Sequence, residues 1–282
     1  MRGLVLEGGA MLGLFTCGVI DFLMEEDVKF DGLIGVSAGA AFGCNYKSHQ
    51  IGRGLRYNKA YCRDPRYCSI RSFLKTGDMY NAKFCYHVLP VELDPFDEET
   101  FIRDPMDFYL VATDVRTGRP VYKKLKTVDY TGFEWFRASG SMPLVSNMVI
   151  LDGMRLLDGG ISDSIPLKFF EKQGYDRTVT VLTKPRDYVK SAYPAMSLAK
   201  WKYKDYPKFV EALGNRHIMY NNQMRYVLDR ERQGKTFVIA PPQTLPIGHI
   251  THDPDKLQEV YDIGRAEAKR VFPALKSYLG LG

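Results

Sequence analysis

The sequence feature that most constrains the fold is a Gly-x-Ser-x-Gly motif at residues 35–39, at the end of an apolar run. The run predicts a buried strand, and the small residues after Ser37 predict a sharp turn followed by a helix. Gly35 and Gly39 lack a Cβ, so the strand and the helix can approach closely. Such a turn exposes the Ser37 hydroxyl, which makes it a candidate nucleophile, although a tight turn without function is the alternative.

The first fifty residues read as strand, glycine-rich loop, helix, strand, turn and helix, with strands at 2–7 and 32–36 and a helix at 12–26. This order predicts an α/β fold with a central, mostly parallel sheet flanked by helices. Residues 52–84 suggest short helices and loops. Further strands are predicted at 108–113, 120–122, 149–151, 155–157, 178–182 and 236–240. Further helices are predicted at 132–139, 166–173, within 196–233, and at 255–279 with an interruption near Pro273.

The length and composition favour one domain. The chain has 282 residues, 45% of them hydrophobic, and shows no repeat or linker. We expect a single domain over 1–282, with a motif-bearing core at about 1–185 and a helical C-terminal part at about 190–282. The net charge of +6 permits an anionic partner without requiring one.

The cysteines and the apolar segments indicate a cytoplasmic protein. The five cysteines show no CxxC spacing, so we expect reduced thiols, no disulfide framework and no metal site. The chain begins directly with a strand, so no signal peptide is expected. No apolar stretch is long enough to span a bilayer.

The glycine-rich loop contains Gly8, Gly9, Ala10 and Gly13, between the first strand and the first helix. Small residues at this position let successive backbone N–H groups turn toward a bound anion, and the helix dipole adds positive potential. A dinucleotide site would need Gly-x-Gly-x-x-Gly, which the loop fits poorly. The loop is therefore a candidate oxyanion hole, with a simple tight turn as the alternative.

Two interpretations of the base remain open. Asp158 follows an apolar run at a predicted strand end, and Gly159 and Gly160 after it permit close approach of a second backbone. It would accept the Ser37 proton directly, if geometry compensates for the low pKa of a carboxyl group, about 4. Alternatively a histidine takes the proton and Asp158 orients it. The candidate histidines are His217, His249 and His252.

Taken together, three segments resemble the patatin-like phospholipase family. They are residues 7–13 (Glu-Gly-Gly-Ala-Met-Leu-Gly), residues 35–39 (Gly-Val-Ser-Ala-Gly) and residues 158–160 (Asp-Gly-Gly), in the order of the family's oxyanion loop, nucleophile and Asp-Gly-Gly motifs. The resemblance implies a three-layer α/β/α fold and a serine acyl hydrolase of lipid esters. It also implies a Ser37–Asp158 dyad without histidine, an oxyanion hole from Gly8, Gly9 and Ala10, and no cofactor or metal.

The chain departs from the family's pattern in the glycine-rich loop. Ala10 replaces a glycine and Leu12 replaces an arginine or lysine. Ala10 is unstrained only if its φ is negative. A weakly active or inactive lipid-binding module of the same fold therefore stays an alternative function.

The expected partner is a lipid or another acyl ester. Residues 197–209 interleave cations with aromatic side chains, which suggests peripheral contact with an anionic membrane surface or a flap over the site. A helix that packs its aromatic side chains inward is the alternative. Nucleic acid is not expected, because no recognition motif accompanies the basic segments.

Overall fold

The computed structural model describes residues 1–281. It contains eight strands: β1 Arg2–Leu6, β2 Gly32–Val36, β3 Asp107–Asp114, β4 Arg119–Leu125, β5 Val149–Leu151, β6 Met154–Asp158, β7 Arg177–Val181 and β8 Thr236–Ile239. Its ten α-helices are α1 Leu14–Glu25, α2 Ala38–Lys47, α3 Arg53–Tyr61, α4 Ile70–Thr76, α5 Glu98–Arg103, α6 Tyr130–Gly140, α7 Leu167–Lys172, α8 Met196–Lys202, α9 Pro207–Arg232 and α10 Pro254–Leu279.

All eight strands form one sheet in the order β5-β6-β3-β2-β1-β7-β8, with β4 paired to β3. The central pairs, from β3 through β2, β1 and β7 to β8, are parallel. The pairs that involve β4, β5 and β6 are antiparallel. The expected mostly parallel α/β sheet is therefore confirmed.

The central strands β1, β2 and β7 are buried on both faces. Leu4 and Leu6 of β1 pack with α1, α2 and α10, whereas Val5 packs on the opposite face with α7 and α9. Alternate residues of one strand point to opposite faces, so each face needs its own helical layer. The result is the three-layer α/β/α arrangement that the sequence predicts.

The C-terminal helix α10 packs closely on α1. A Cβ on Gly18 would lie 2.0 Å from the Tyr261 carbonyl oxygen, and one on Gly264 would lie 2.1 Å from that of Phe15. The two backbones can approach this closely only because both contact positions are glycine. This contact joins the helical C-terminal part to the motif-bearing core and so supports the prediction of a single domain. The number of domains itself stays a prediction.

Two helix predictions need correction. The predicted interruption near Pro273 is wrong, because α10 runs through it. Pro273 and Lys269 are both exposed, so water can bond the Lys269 carbonyl that loses its N–H partner, while buried Leu275 and Leu279 hold the last turns. The predicted helix at 12–26 begins later, because residues 10–13 form a 3₁₀ turn.

Two elements have no counterpart in the prediction. One is α5, and the other is a π-helical segment at residues 84–93 that includes Pro90. The predicted hairpin is confirmed, since Asp152 and Gly153 have the positive φ values of a tight two-residue turn, 47° and 73°. In the described residues no helix has both the length and the apolar character needed to cross a membrane.

Candidate active site

Ser37 occupies the sharp turn between β2 and α2. Its φ of 54° and ψ of −121° are unusual for a residue with a Cβ, and such a conformation costs about 1–3 kcal/mol. Close packing holds the turn, because a Cβ on Gly35 would lie 2.5 Å from the Ala40 nitrogen and one on Gly39 would lie 2.5 Å from the Leu6 carbonyl oxygen. The strand, turn and helix predicted around Ser37 are confirmed.

Strand β3 fixes the relative position of Ser37 and Asp158. Its Val111 pairs with Val36, the residue before Ser37, and its next residue, Ala112, pairs with Asp158. Strand β4 pairs with one edge of β3 along residues 108–114. On the other edge of β3, β2 pairs with residues 107–111 and β6 pairs with residues 112–114. The last residue of β6 therefore meets the turn that follows β2.

The side chains of Ser37 and Asp158 are in direct contact. The Ser37 hydroxyl donates a hydrogen bond to Asp158 Oδ2 at 2.7 Å. The second carboxylate oxygen, Oδ1, accepts the Gly160 N–H at 2.7 Å, and the Asp158 carbonyl accepts the Thr113 hydroxyl at 2.8 Å. Gly159 is needed here, since a Cβ on it would lie 2.2 Å from the Val111 carbonyl oxygen.

Burial raises the pKa of Asp158 above the ordinary value of an aspartate. The positive charge of Arg216 and the hydrogen bonds from Ser37 and Gly160 lower it in part. A desolvated carboxylate that contacts a hydroxyl is a stronger base than one in water. Asp158 thus combines a raised pKa with a direct hydrogen bond from Ser37.

The glycine-rich loop packs against the Ser37 turn. A Cβ on Gly8 would lie 2.8 Å from the Val36 carbonyl oxygen and 3.0 Å from Ser37 Cβ. In the part of the chain that the structure describes, no hydrogen-bond acceptor pairs with the N–H groups of Gly8, Gly9 or Ala10. These three N–H groups are therefore unpaired within the described chain, and the three residues line the same cavity as Ser37.

Ala10 is in the strained conformation, with a φ of 49°. The following turn fixes it, since Met11 N–H bonds the His249 carbonyl and Leu12 N–H bonds the Gly9 carbonyl. Leu12 is buried and brings no charge to the loop. Gly13 packs on Phe42 of α2 and leaves no room for a side chain.

The three candidate histidines do not reach the Ser37 hydroxyl. His249 lines the neighbouring cavity, and His252 Nδ1 bonds the Cys62 carbonyl. His217 Nδ1 is buried on α9 and has no hydrogen-bond partner in the described residues. Within residues 1–281, none of the three bonds Ser37 or Asp158. The geometry therefore favours the carboxylate as proton acceptor over a histidine.

Two cavities meet at Ser37. One, of about 930 Å³ with its mouth, is lined mostly by apolar and aromatic side chains, among them Phe42, Tyr57, Tyr86, Leu89, Phe96 and Phe136. The other, of about 960 Å³ with its mouth, is polar and includes Asp158, Lys184, Lys190, Tyr193, Arg216 and His249. Both contain Ala10, Ser37 and Met142. A molecule with an apolar chain and a polar group would place the bond between them at Ser37.

The sequence analysis gave no role to three residues that surround the site, Glu7, Arg216 and Tyr220. Glu7 is buried at the end of β1 and accepts hydrogen bonds from the Thr183 N–H at 2.6 Å and the Tyr220 hydroxyl at 2.7 Å. Arg216 donates its Nε–H to the Gly160 carbonyl at 2.7 Å. Arg216 and Tyr220 lie four residues apart on α9 and therefore on one face of this helix. This spacing is the sequence signal that could have grouped the two residues.

The chain matches two family models. The model described as patatin-like phospholipase matches residues 4–170, and one described as a domain of unknown function, DUF6363, matches residues 206–280. The first covers all the motifs around Ser37, the glycine-rich loop and Asp158. The second covers α9 and α10.

Among curated proteins, the uncharacterized protein YjjU of Escherichia coli is 27% identical over 280 residues, 93% of this chain and 74% of that protein. Lysophospholipase nte1 of Aspergillus oryzae is 23% identical over 98% of this chain, which spans only 18% of that protein. The uncharacterized NTE family protein Rv1063c of Mycobacterium tuberculosis is 25% identical over 63% of this chain and 48% of that protein. Among solved structures, VipD from Legionella pneumophila has a TM-score of 0.46 at 12% identity, over 97% of this chain and 67% of that one.

Proposed function

The chain belongs to the patatin-like phospholipase family, and from this premise we propose that it is a serine acyl hydrolase of lipid esters with Ser37 as nucleophile and Asp158 as base. The observation that carries the proposal is the 2.7 Å hydrogen bond between the Ser37 hydroxyl and Asp158, at the point where an apolar and a polar cavity meet. A nucleophile in contact with a positioned base is the arrangement that acyl transfer requires.

In the first half of the reaction, Ser37 Oγ attacks the ester carbonyl carbon and its proton passes to Asp158 Oδ2. The carbonyl electron pair moves onto the oxygen, which faces the N–H groups of Gly8, Gly9 and Ala10. Collapse of this intermediate breaks the ester bond, and the departing alcohol takes the proton from Asp158. The acyl chain stays on Ser37, in the apolar cavity.

In the second half, water attacks the acyl carbonyl and gives a proton to Asp158. Collapse releases the fatty acid, and the proton returns to Ser37 Oγ. Three preorganised N–H donors in a partly desolvated site stabilise both oxyanions, and each such donor is typically worth about 3–4 kcal/mol. No step requires a metal or cofactor.

A panel of p-nitrophenyl esters tests the function and the choice of base. We expect the wild type to hydrolyse these esters, and a His249→Ala/His252→Ala double variant to retain activity within about threefold, because neither imidazole bonds Ser37 or Asp158 in the described residues. The release of p-nitrophenol is the measurement, and circular dichroism checks folding. A folded but inactive histidine variant would show that the base is a histidine.

The pH dependence of kcat/KM follows from the raised pKa of Asp158. Only the ionised carboxylate can accept the Ser37 proton, so activity falls as the pH drops through this pKa. We expect the acidic limb above the ordinary aspartate value of about 4. Arg216→Gln should move the limb to still higher pH, since the Arg216 charge lowers the Asp158 pKa. If the acidic limb of the kcat/KM profile lay at the same pH in Arg216→Gln as in the wild type, that result would argue against Asp158 as base.

Two helices beside the polar cavity support contact with an anionic membrane. The Asn147 side chain bonds the Thr76 carbonyl at the end of α4, and Lys202 of α8 bonds the Leu144 carbonyl. Met142, Pro143 and Val145, which lie beside these contacts in the chain, line the cavity. Both helices therefore contact the chain segment that lines this cavity.

Each of these two helices exposes large apolar side chains next to cations. Leu74 of α4 and Trp201 of α8 are 78% and 73% exposed. The cations are Arg71, Lys75, Lys200 and Lys202. By contrast Tyr203 and Phe209, in the same basic segment, are buried. Exposed apolar residues flanked by cations are typical of helices that bind an anionic lipid surface.

A Leu74→Asp/Trp201→Asp variant is therefore expected to lose at least about tenfold in binding to phosphatidylglycerol-containing vesicles, measured by co-sedimentation. Ile102→Asp is the control, because Ile102 is also exposed but lies on α5, before the amino end of β3 and away from Ser37. Equal losses in the two variants would contradict a membrane contact through α4 and α8.

An inactive lipid-binding module is the second candidate function. It is favoured by the strained Ala10 and by the uncharged Leu12 in the glycine-rich loop. Such a protein would bind lipid without releasing p-nitrophenol from any ester of the panel.

A further inference from the structure

Three cations lie together in the polar cavity beside Ser37. Lys184 and Lys190 come from the segment after β7, and Arg216 comes from α9. All three lie beyond residue 170, outside the match to the patatin-like phospholipase family. The acyl-transfer steps described above use none of them to form or break a bond.

The two acids of the cavity wall, Glu7 and Asp158, offset the charge of this three-cation cluster only in part. In residues 1–281, none of the three cations has a carboxylate within ion-pair distance, 4.0 Å. The two acids of the cavity wall are engaged elsewhere, Glu7 by Thr183 and Tyr220, and Asp158 by Ser37 and Gly160. Desolvation and the charge of Arg216 lower the pKa of Lys190 to about 8, although Glu7 raises it in part. A bound anion would relieve this repulsion.

Two members of the cluster, Arg216 and Lys190, are also positioned before any ligand arrives. Arg216 is held by the bond from its Nε to the Gly160 carbonyl, which leaves its terminal nitrogens as donors. The backbone of Lys190 is tied to α9 at both ends, since its N–H bonds Asn221 Oδ1 and its carbonyl accepts the Asn221 side-chain amide. Lys190 Nζ lies 4.5 Å from the centre of the Tyr220 ring. A site held in this way loses little entropy when it binds an anion.

Arg216 also sets the distance of the cluster from the reacting bond. A Cβ on Gly160 would lie 3.1 Å from Asp158 Oδ1 and 3.3 Å from a terminal nitrogen of Arg216, so Gly160 lies between the carboxylate and the guanidinium. An anion on Arg216 would then sit a few bonds from an ester carbonyl at Ser37. A phosphate on a glycerol ester has that separation, and guanidinium and ammonium groups are the usual phosphate ligands.

We propose that Lys184, Lys190 and Arg216 form a phosphate subsite that selects glycerolipid esters carrying a phosphate over neutral glycerolipid esters. This inference rests on the proposed acyl hydrolase function. It assigns a specificity role to the segment after β7 and to α9, and it identifies the phosphate as part of the substrate rather than as a free ion.

The test compares two substrates that differ only in the phosphate, 1-oleoyl-lysophosphatidic acid and 1-oleoylglycerol, both in neutral detergent micelles. The ratio of their kcat/KM values is measured by release of oleic acid. We expect the wild type to favour the phosphate-bearing ester, and Lys184→Gln/Lys190→Gln to lower the ratio about 10- to 100-fold, the loss typical of charge-assisted hydrogen bonds. Lys269→Gln, an exposed lysine on α10, is the matched control and should leave the ratio unchanged.

The outcomes separate this inference from the function on which it rests. Hydrolysis of 1-oleoylglycerol that depends on Ser37, with a ratio that the double variant does not change, would overturn the subsite and leave the hydrolase function in place. Equal kcat/KM values of the wild type on the two esters would overturn it as well. Inorganic phosphate is expected to inhibit only weakly. A strong activation of 1-oleoylglycerol turnover by inorganic phosphate would identify a free-ion site and overturn the assignment to the substrate.

Discussion

Ser37→Ala is expected to lower kcat/KM on p-nitrophenyl butyrate by at least about 10⁴-fold, and Asp158→Asn by a similar factor. Because the two side chains share the hydrogen bond at 2.7 Å and act on the same proton, neither is useful without the other. A Ser37→Ala/Asp158→Asn variant should therefore be no worse than Ser37→Ala alone, as is found for catalytic groups that act as a unit. Thermal unfolding of all three variants checks that the loss is not one of folding.

Additive losses would contradict a dyad. If the double variant lost the product of the two single factors, Asp158 would contribute by a route other than activation of Ser37. Residual activity in Ser37→Ala comparable to the wild type would mean that another nucleophile acts on the ester.

Gly8→Ala is expected to lower kcat by about 10²- to 10³-fold, the range observed when one oxyanion donor is lost. The added methyl group would lie 2.8 Å from the Val36 carbonyl oxygen and 3.0 Å from Ser37 Cβ, both parts of the rigid turn. The loop must therefore move away from Ser37, and its N–H groups move with it. KM should change much less than kcat, because these donors bind the oxyanion more strongly than the ester carbonyl.

Gly214→Ala on α9 is the control for this change. A Cβ at Gly214 meets only the end of the Met196 side chain, at 3.5 Å, which is ordinary contact. We expect it to keep wild-type kcat. Equal kcat values of Gly8→Ala and the wild type, with the fold intact, would argue that the glycine-rich loop does not hold the oxyanion.

The sequence predicts the parallel centre of the fold because local patterns specify it. The apolar runs at 32–36 and 177–181 are strands with nearly the predicted bounds, and Asp152-Gly153 turns as its residue types require. The π-helical segment at 84–93, which lines the apolar cavity, was not predicted, since its internal Pro90 is a local signal against a helix. Pro273 led to the wrong prediction of an interrupted helix. The packing of α10 on both sides of Pro273 overrides this local helix breaker.

The residues of the candidate site are likewise of two kinds, those that short sequence motifs identify and those that only tertiary packing brings to the site. Ser37, the glycine-rich loop and Asp158 can be recognised because short motifs encode strained turns, and the register of β3 explains why residues 121 positions apart meet. The spacing of Arg216 and Tyr220 shows only that they share a helix face. That Arg216 and Lys190 line the cavity cannot be predicted from the sequence, because it depends on how α9 and the segment after β7 pack in the fold.

The most direct measurement is covalent labelling with an uncharged alkyl fluorophosphonate, followed by intact-mass and peptide-level mass spectrometry. We expect one adduct, on Ser37, formed at a similar rate in His249→Ala, formed at least about 100-fold more slowly in Asp158→Asn and absent in Ser37→Ala. An adduct on another residue, or labelling of Ser37 that requires His249 and not Asp158, would contradict a Ser37–Asp158 hydrolase.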